Sequence, residues 1–342
     1  MTDTLDRACI CDIAVAFPET TVANDTLMEG VPQHQRELLI RHAGVHRRHI
    51  VAPGQTALDL GEQACRMLQA KHPDLPALVD TLLFCTQSPD YPLPPNSCVL
   101  HGRLGLKESV AAFDLSHACS GFVYGVFIAQ ALIASGASKH ILVVTSETYS
   151  RFIHPEDRST RLLFGDGAAA TLIGAGQDGR GVLDVVCGTA GLHVDKCLVP
   201  AGGCRQPVTD AIWSQEERDS SGNVRSRAHI HMAGRDMLSF VSSRIPPHVN
   251  DVLARNGVTS AAVDWFVFHQ ASGIVLESLT RLLDLDPAKV IRHLENVGNT
   301  VSASIPITLQ AAVEDGLIRP GHLVLLCGFG AGLSWGSVLL RW

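Results

Sequence analysis

The sequence has little charge and few aromatic residues, and it lacks any long apolar run. Of its 342 residues, 18% are charged and 5% are aromatic, whereas 46% are hydrophobic. This balance is typical of a globular α/β protein with an extensive core. Since no apolar run has the roughly 20 residues that cross a bilayer, we expect no transmembrane helix and no membrane partner. The net charge of −7 argues against broad affinity for nucleic acids.

Signals for export, disulfides and metal sites are also missing. Residues 1–17 show no basic region and no convincing cleavage site, so we expect a cytoplasmic protein without a signal peptide. The ten cysteines contain no C-x-x-C pair, which favours reduced thiols over disulfides. Cys187, His193, Cys197 and Cys204 match no familiar zinc spacing, and we predict no metal site.

One cysteine stands at a position typical of a nucleophile. Cys119 lies between an apolar stretch, Val110–Leu115, which we predict to be a buried strand, and Gly121–Ser135, which carries no charge and is predicted to be a buried helix. A thiol at the start of a helix faces the positive end of the helix dipole. We therefore expect Cys119 to favour the thiolate, although a small buried core cysteine is the commoner arrangement.

The two parts of the chain resemble each other. Residues 78–85 resemble 262–269, and residues 130–136 resemble 310–316, in the same order. The second pair is offset by 180 positions, which makes Asn299 the counterpart of Cys119. We predict a duplication, with an N-terminal half at 1–177 and a C-terminal half at 178–342. Residues 189–229 are the least regular stretch and are expected to form a loop that covers the site or lines a substrate tunnel.

Two motifs near these boundaries are expected to be structural. The segment 174–181 fits G-x-G-x-x-G, but a second strand-like run follows it, so we predict a hairpin turn and no dinucleotide site. The segment 332–336 fits G-x-S-x-G, yet no helix can follow Ser334. A further helix is predicted over 230–256, interrupted at Pro246-Pro247.

Three more features complete a candidate site. His269 ends a very apolar strand, a common place for site residues in α/β proteins. Asn299 precedes a run of small residues, and 328–332 is a glycine-rich turn whose backbone N–H groups can meet a ligand. Helix capping and a tight bend between strands are the structural alternatives for these two features. Together with Cys119 they indicate acyl-thioester chemistry: a thiolate accepts an acyl group, and N–H donors hold the developing oxyanion.

The chain resembles the β-ketoacyl-acyl-carrier-protein synthase III family of the thiolase fold. The matching segments cover nearly the whole chain in the family's order: Ala118–Phe122, Phe164–Ala168, His269–Ala271, Asn296–Thr300 and Gly328–Gly336. The resemblance implies an α/β, thiolase-like, duplicated five-layer αβαβα fold and a homodimer. It also implies a decarboxylative Claisen condensation of an acyl thioester, carried by coenzyme A or a carrier protein, with malonyl-carrier protein, without a cofactor.

The resemblance also assigns roles to residues. Cys119 is the acyl acceptor, and His269 with Asn299 promotes decarboxylation. The backbone N–H of Cys119 and one from Gly330 or Ala331 form the oxyanion hole, and Phe329 lies against the malonyl group. Arg158 stacks on the adenine of coenzyme A, and residues 91–95 approach the partner's acyl pocket, with Leu93 at a position where the family often has Phe.

Several positions depart from the family pattern and indicate a specialised member with an unusual acyl donor. Leu38 replaces the family's adenine-stacking Trp, and Ser272 replaces an Asn that contacts the pantetheine arm. Ser239 and Ile274 stand where basic residues near the carrier-docking helices are usual. In the basic run 41–49, Arg47 and Arg48 are expected either to meet coenzyme A phosphates or an acidic carrier, or to form a solvated surface.

Other functions remain open at this point. Acyl transfer to an alcohol or amine on the same scaffold needs no decarboxylation, and retention of His269 and Asn299 argues against it. A papain-type hydrolase shares the order Cys, His, Asn, but Cys119 lies too far along the chain and lacks that family's flanking residues. A non-catalytic subunit of a heteromeric synthase is disfavoured because all three residues are present.

Overall fold

The structure is a computed structural model that describes residues 6–28 and 31–342. Its strands, in chain order, are β1 (Ala8–Ala16), β2 (Thr21–Ala23), β3 (Arg47–His49), β4 (Thr81–Cys85), β5 (Ala111–Leu115), β6 (His140–Glu147), β7 (Gly167–Ala175), β8 (Gly181–Thr189), β9 (Cys197–Leu198), β10 (Glu217–Arg218), β11 (Val224–Arg225), β12 (His231–Met232), β13 (Trp265–Phe268), β14 (Leu323–Gly330) and β15 (Ser334–Arg341). Its α-helices are α1 (Asn24–Leu27), α2 (Gln33–Ala43), α3 (Ala57–Lys71), α4 (Leu75–Leu78), α5 (Asn96–Leu104), α6 (Gly121–Ala134), α7 (Arg158–Arg161), α8 (Asp210–Ser214), α9 (Gly234–Arg255), α10 (Gly273–Leu282) and α11 (Ser304–Glu314). Among these residues no helix is both long and apolar enough to cross a membrane.

Two sheets with the same strand order form the framework. The first sheet runs β1-β7-β6-β4-β5 and the second runs β8-β15-β14-β13. In each sheet the first strand is antiparallel to the second, the second is antiparallel to the third, and the third is parallel to the fourth. A parallel bridge between Phe266 and Val290 stands in the second sheet where β5 stands in the first. This shared topology is the structural counterpart of the sequence repeat, while the division at 177/178 remains a prediction.

Two apolar helices fill the space between the sheets. Phe122, Val123 and Val126 of α6 share one buried cluster with Ile305 and Leu309 of α11 and with strand residues of both sheets. Because α6 carries no charged side chain, it can be covered on both faces without desolvating an ion. Helices α3 and α5 pack outside the first sheet, and α9 and α10 lie outside the second. The predicted five-layer αβαβα order is confirmed.

The segment after β7 is a correction to the predicted hairpin. The turn at Gln177–Arg180 is present, closed by the Arg180 N–H to the Gln177 carbonyl at 3.0 Å. However, β7 pairs with β1 and β6, whereas β8 pairs with β15 in the other sheet. The chain thus passes from the first sheet to the second here. The element that follows is the strand β8, as predicted, whereas a dinucleotide-binding motif would open a helix.

The helix predicted over 230–256 also differs from expectation. Helix α9 begins at Gly234 and runs to Arg255 without interruption at Pro246 and Pro247. Ile245 and Val249 are buried in the core beneath the second sheet, and Pro246 is buried as well. This packing keeps the segment helical even though two proline nitrogens cannot donate to the preceding turn.

Candidate active site

Cys119 lies in the turn that joins β5 to α6. The Gly121 N–H donates to the Ala118 carbonyl at 2.8 Å, and the hydroxyls of Ser120 and Ser334 bond each other at 2.8 Å. The first contact closes the turn around the thiol. The second contact ties Ser120, next to the thiol, to Ser334 in the C-terminal part of the chain. Cys119 itself is 9% exposed and stands two residues before the first residue of α6.

A glycine-rich strand end covers the thiol from the other half. A Cβ atom added at Gly330 would lie 2.8 Å from Cβ and 2.9 Å from Sγ of Cys119. One added at Gly328 would lie 2.9 Å from Cα of Ser120. Any larger residue at Gly330 would displace Cys119, so close approach of the backbone explains the glycines at the end of β14.

The thiol's ionisation departs from the expectation that the helix dipole dominates. Burial is the main cause that raises the pKa of Cys119 well above its ordinary value, and the neighbouring Cys197 and Glu147 add to this effect. The backbone N–H of Cys119 itself acts in the opposite direction. Removal of the thiolate from water thus outweighs the favourable helix terminus.

His269 is held as a neutral donor at the end of β13. Its backbone N–H donates to the Cys327 carbonyl at 2.8 Å, and its ring Nδ1 lies 2.6 Å from the hydroxyl of Ser304. The same hydroxyl accepts the Gln270 N–H at 3.5 Å, so its hydrogen is available to Nδ1. Burial lowers the pKa of His269 to about 3. The ring is therefore neutral near pH 7, with its proton on Nε2.

The amide of Asn299 is oriented by the backbone on both sides. Its Oδ1 accepts the Val301 N–H at 2.9 Å, and its Nδ2 donates to the Ala271 carbonyl at 3.4 Å. The main chain is fixed to a neighbouring segment by bonds to Leu163 and Gly165, at 2.8 and 3.0 Å. Val301 adopts φ +54°, an unusual value for a β-branched residue. One Nδ2 hydrogen remains for a ligand.

These groups meet in a single cavity of about 560 Å³. All the residues predicted to be catalytic or to form the site's rim line it: Cys119, His269, Asn299, Phe329, Gly330 and Ala331. The ring of Phe329 lies edge-on to His269, with centroids 5.6 Å apart. A thiol, two N–H donors and a glycine-rich strand end thus surround one space, which suits the handling of two carbonyl groups.

Comparison with known proteins decides the family. Residues 113–191 match the family model for 3-Oxoacyl-[acyl-carrier-protein (ACP)] synthase III, and residues 253–342 match the model for its C terminal part. The beta-ketoacyl-[acyl-carrier-protein] synthase III of Agrobacterium fabrum is 34% identical over 341 residues, covering 98% of this chain and 99% of the relative. The chain belongs to the 3-oxoacyl-[acyl-carrier-protein] synthase III family. It is a condensing enzyme of this type.

Solved structures agree with that assignment. A crystal structure of a 3-oxoacyl-(acyl-carrier-protein) synthase III is 37% identical, covers 98% of this chain and 100% of its own, and superposes with a TM-score of 0.94. The priming beta-ketosynthase of the R1128 polyketide pathway is 28% identical, with coverage of 98% and 97% and a TM-score of 0.84. The predicted thiolase-like α/β fold is confirmed.

The residues expected to bind substrate in the synthase fall at different places. Arg158, Ser272 and Ile274 line the cavity, and the Ser272 hydroxyl caps α10 by accepting the Val275 N–H at 3.4 Å. Leu39, and not Leu38, lines the cavity from α2. Ser239 is exposed on α9, outside the cavity lining.

Two other predicted substrate contacts lie outside the cavity. Arg47 is exposed on β3, away from the cavity wall. Leu93 is 81% exposed and lies on the loop before α5. A contact between Leu93 and a partner's pocket remains a prediction.

Arg48 corrects the prediction for the basic run. It is 1% exposed, and its guanidinium donates to the amide oxygen of Asn24. Arg47 and Arg48 are neighbours on one strand, so their side chains point to opposite faces, and only Arg47 is exposed. Arg48 therefore cannot serve as a surface contact for coenzyme A or a carrier protein.

Sequence reasoning missed several residues of the site. Tyr149, Cys197 and Met232 line the cavity beside Cys119, and Ser304 orients His269. The first three come from irregular or short elements without periodicity, so only the three-dimensional structure identifies them. Ser304 lies in the run of small residues after Asn299, and a hydroxyl at the start of a helix was the available signal.

Cys197 is one of the four residues considered as zinc ligands. In the part of the chain that the structure describes, no group of three or more His, Cys, Asp or Glu side chains is arranged to hold a metal ion. Cys197 instead belongs to the predicted irregular stretch, where β9 pairs with β12 beside the cavity. This stretch, predicted to cover the site or to line a substrate tunnel, thus contributes Cys197 to the wall of the cavity.

Proposed function

We propose that the protein joins an acyl thioester to a malonyl thioester with loss of CO2 and yields a 3-oxoacyl product. One observation carries this proposal: Cys119, neutral His269 and the oriented amide of Asn299 line one cavity beneath Gly330. The relatives described above are 3-oxoacyl-[acyl-carrier-protein] synthases III, which supports the proposal.

In the first step the sulfur of Cys119 attacks the carbonyl carbon of the incoming acyl thioester. The new C–S bond forms as the bond to the carrier's sulfur breaks, and the proton of Cys119 leaves with the released carrier thiol. The backbone N–H groups of Cys119 and of Gly330 or Ala331 hold the oxyanion of the tetrahedral intermediate. Burial keeps the unacylated thiol mostly protonated, so attack depends on a bound substrate.

In the second step the malonyl thioester loses CO2. The bond between the carboxylate carbon and the α-carbon breaks, and its electron pair forms an enolate. Nε2–H of His269 and Nδ2–H of Asn299 donate to the enolate oxygen. A neutral imidazole can fill this role because Nε2–H donates to the enolate oxygen while Nδ1 accepts from the Ser304 hydroxyl, and the low pKa of His269 keeps the ring neutral throughout the physiological range.

In the third step the enolate carbon attacks the acyl group on Cys119. A new C–C bond forms, the bond from carbon to Sγ breaks, and Cys119 leaves as a thiolate that regains a proton. The product is a 3-oxoacyl thioester on the malonyl carrier. We propose that all three steps use only protein groups and the thioester substrates, with no resident cofactor or metal.

The substrates are proposed to enter along the apolar mouth formed by α2, α9 and α10. Leu39, Met237 and Val275 line this mouth, and Arg158 places a cation there. A thin apolar arm ending in a thioester, with an anionic head near Arg158, fits this arrangement. We propose malonyl-carrier protein as one substrate and an acyl-coenzyme A or acyl-carrier protein as the other, acted on by a cytoplasmic homodimer.

The test separates acylation from decarboxylation. The purified protein is incubated with a panel of acyl-coenzyme A and acyl-carrier thioesters, and Cys119 is examined by mass spectrometry, while CO2 release is followed with malonyl-carrier protein. Cys119→Ala should abolish labelling. His269→Ala and Asn299→Ala should keep labelling but lose CO2 release, because their N–H groups act on the second carbonyl.

A second thiol in the same cavity supplies the matched control. Cys197→Ala should retain labelling of Cys119 and condensation. If normal condensation persists in the His269 and Asn299 variants, the mechanism is wrong. Labelling of the wild type followed by transfer to an alcohol or amine, without CO2 release, would instead identify a simple acyltransferase.

A further inference from the structure

A second cavity lies behind the substrate cavity and contains three arginines. It has a volume of about 330 Å³, and Arg48, Arg151 and Arg161 line it together with Ser150. Among the described residues no Asp or Glu side chain belongs to its lining. The buried ring of Phe164 forms part of the wall of both cavities.

The charge of Arg48 lacks a full set of partners. The side chain is 1% exposed and bonds a neutral group, the amide oxygen of Asn24. Its Nε has no hydrogen-bond partner among the residues described. A buried guanidinium without compensation is costly, because removal of a cation from water is repaid only by an anion or by complete hydrogen bonding.

The nearby carboxylate is already committed to other donors. Asp166 accepts the Val51 N–H at 2.8 Å and the Ser150 N–H at 3.0 Å, and the Ser150 hydroxyl also donates to it. Burial and the like charge of Arg161 lower the pKa of Arg48 to about 10, with Asp166 acting in the opposite direction. Arg48 thus remains a cation at neutral pH and faces a second cation.

The other two arginines are anchored and have donors to spare. The Arg161 Nη1 donates to the Pro155 carbonyl at 2.6 Å, and an Arg151 Nη donates to the Gln55 carbonyl. Each guanidinium has five N–H donors, so one backbone bond leaves most of them available. Fixed guanidinium groups around one space are the arrangement that binds oxyanions in two-point fashion.

We propose that this cavity is an anion site, distinct from the substrate cavity, that takes a small oxyanion such as phosphate or a short carboxylate. The oxyanion would receive N–H bonds from Arg48, Arg151 and Arg161. Val22, Ile50 and Ile153 supply apolar walls that leave room for a short carbon chain on the anion.

The site also contacts the turn that bears Asn299. A Cβ atom added at Gly298 would lie 3.2 Å from Cβ of Arg48, and one at Gly165 would lie 3.1 Å from it. Gly165 donates its N–H to the carbonyl of Asn299. An anion that fixes Arg48 would therefore help to hold the backbone at Gly298 and Asn299, and the side chain of Asn299 is the one proposed to act in decarboxylation.

Binding is tested on the full chain with inorganic phosphate and with butyrate, against chloride at matched pH and ionic strength. Thermal unfolding and titration calorimetry should show a saturable rise in Tm and saturable heat with at least one of the two anions. Arg151→Gln with Arg161→Gln should weaken binding about tenfold or more, since two charge-assisted donors are lost. Comparison of the phosphate and butyrate arms identifies the anion.

Two further variants make the result decisive. Arg158→Gln changes the wall of the substrate cavity at a residue that does not belong to the lining of the three-arginine cavity, and it should keep the anion response. Arg48→Met should lose the response and, without anion, be at least as stable as the wild type, because an uncompensated buried cation is removed. Equal Tm values in phosphate, butyrate and chloride would overturn the proposal, as would an unchanged response in the Arg151/Arg161 variant.

Discussion

Glu147 is a fully buried carboxyl group at the end of β6, close to the site. Its Oε1 accepts the hydroxyl of Ser302 at 2.7 Å, and its Oε2 accepts the Gln87 N–H at 3.1 Å. Burial raises its pKa to about 8, and these hydrogen bonds limit the rise. The group therefore folds as a neutral acid at pH 7 and links the first half to the segment after Asn299.

This raised pKa predicts a stability that falls as the pH rises. In the unfolded chain Glu147 releases its proton near its ordinary pKa of 4.5, whereas the folded protein keeps that proton until about pH 8. Between these values the folded state binds the extra proton, so each step to higher pH favours unfolding. The resulting loss of unfolding free energy is absent below pH 4.5 and reaches up to about 5 kcal/mol above pH 8.

Denaturant unfolding from pH 5 to 9 measures this effect against Glu147→Gln. The glutamine keeps the shape of the side chain and cannot ionise. The free energy of unfolding of the variant should therefore rise relative to that of the wild type from pH 5 to 8, and the difference should be constant above pH 8. Titration of other groups, including buried His269, occurs in both proteins and cancels in the difference. A difference that does not change with pH would show that Glu147 is ionised in the folded protein.

Single residues show where sequence reasoning succeeds and where it stops. That Cys119, His269 and Asn299 lie together in one cavity was predictable because each chemical group stands at the boundary of a strongly apolar element. The burial of Arg48 was not, because a basic run resembles a surface, and the alternation of a three-residue strand is too short to detect. The ionisation of Cys119 depends on desolvation, which only the packed structure reveals.

At the level of elements, local turn signals were reliable and long-range pairing was not. The segment 174–181 forms a turn between two strands, as predicted, but β7 and β8 belong to different sheets and form no hairpin. Turn residues fix the local backbone, whereas the partner of a strand depends on distant chain segments. Similarly, Pro246 and Pro247 lower intrinsic helix preference, but burial of the neighbouring residues keeps α9 continuous.

The start of α11 is predicted to control the decarboxylation step. Its first residue, Ser304, supplies the hydroxyl that bonds Nδ1 of His269 at 2.6 Å. Ser304→Ala leaves the ring without the partner that keeps its proton on Nε2. Loss of one such bond costs about 1.4 kcal/mol, so CO2 release should slow about tenfold.

The measurement compares two rates in the same variant. Acyl labelling of Cys119 should stay near the wild-type rate, because Ser304 acts on His269 and not on the thiol. Ser337→Ala, which removes another buried hydroxyl, is the control and should leave both rates unchanged. If Ser304→Ala slowed labelling as much as CO2 release, the hydroxyl would be supporting the whole site rather than His269.

For the whole molecule, one side of the first sheet has an exposed apolar edge. Strand β5 is the outer strand, has β4 as its single partner among residues 6–28 and 31–342, and carries the exposed side chain of Phe113. Tyr91 and Leu93, on the loop before α5, are also exposed. Unpaired strand edges without Lys or Pro invite pairing with another chain, so this face is where we expect the proposed homodimer to form.

Phe113→Lys is predicted to separate the two chains. A lysine on this strand would place an uncompensated cation in the interface, which costs at least about 2 kcal/mol and weakens the dimer about thirtyfold or more. Sedimentation equilibrium over a range of concentrations should then shift from twice the chain mass towards the chain mass. Met67→Lys, at an exposed apolar position on α3, should leave the dimer intact.

Since the partner's loop 91–95 is expected to reach the acyl pocket, dissociation of the Phe113 variant should also lower acyl labelling of Cys119. A wild type that sediments as a single chain would contradict the proposed homodimer, and a Phe113 variant that stays dimeric would place the interface on another face.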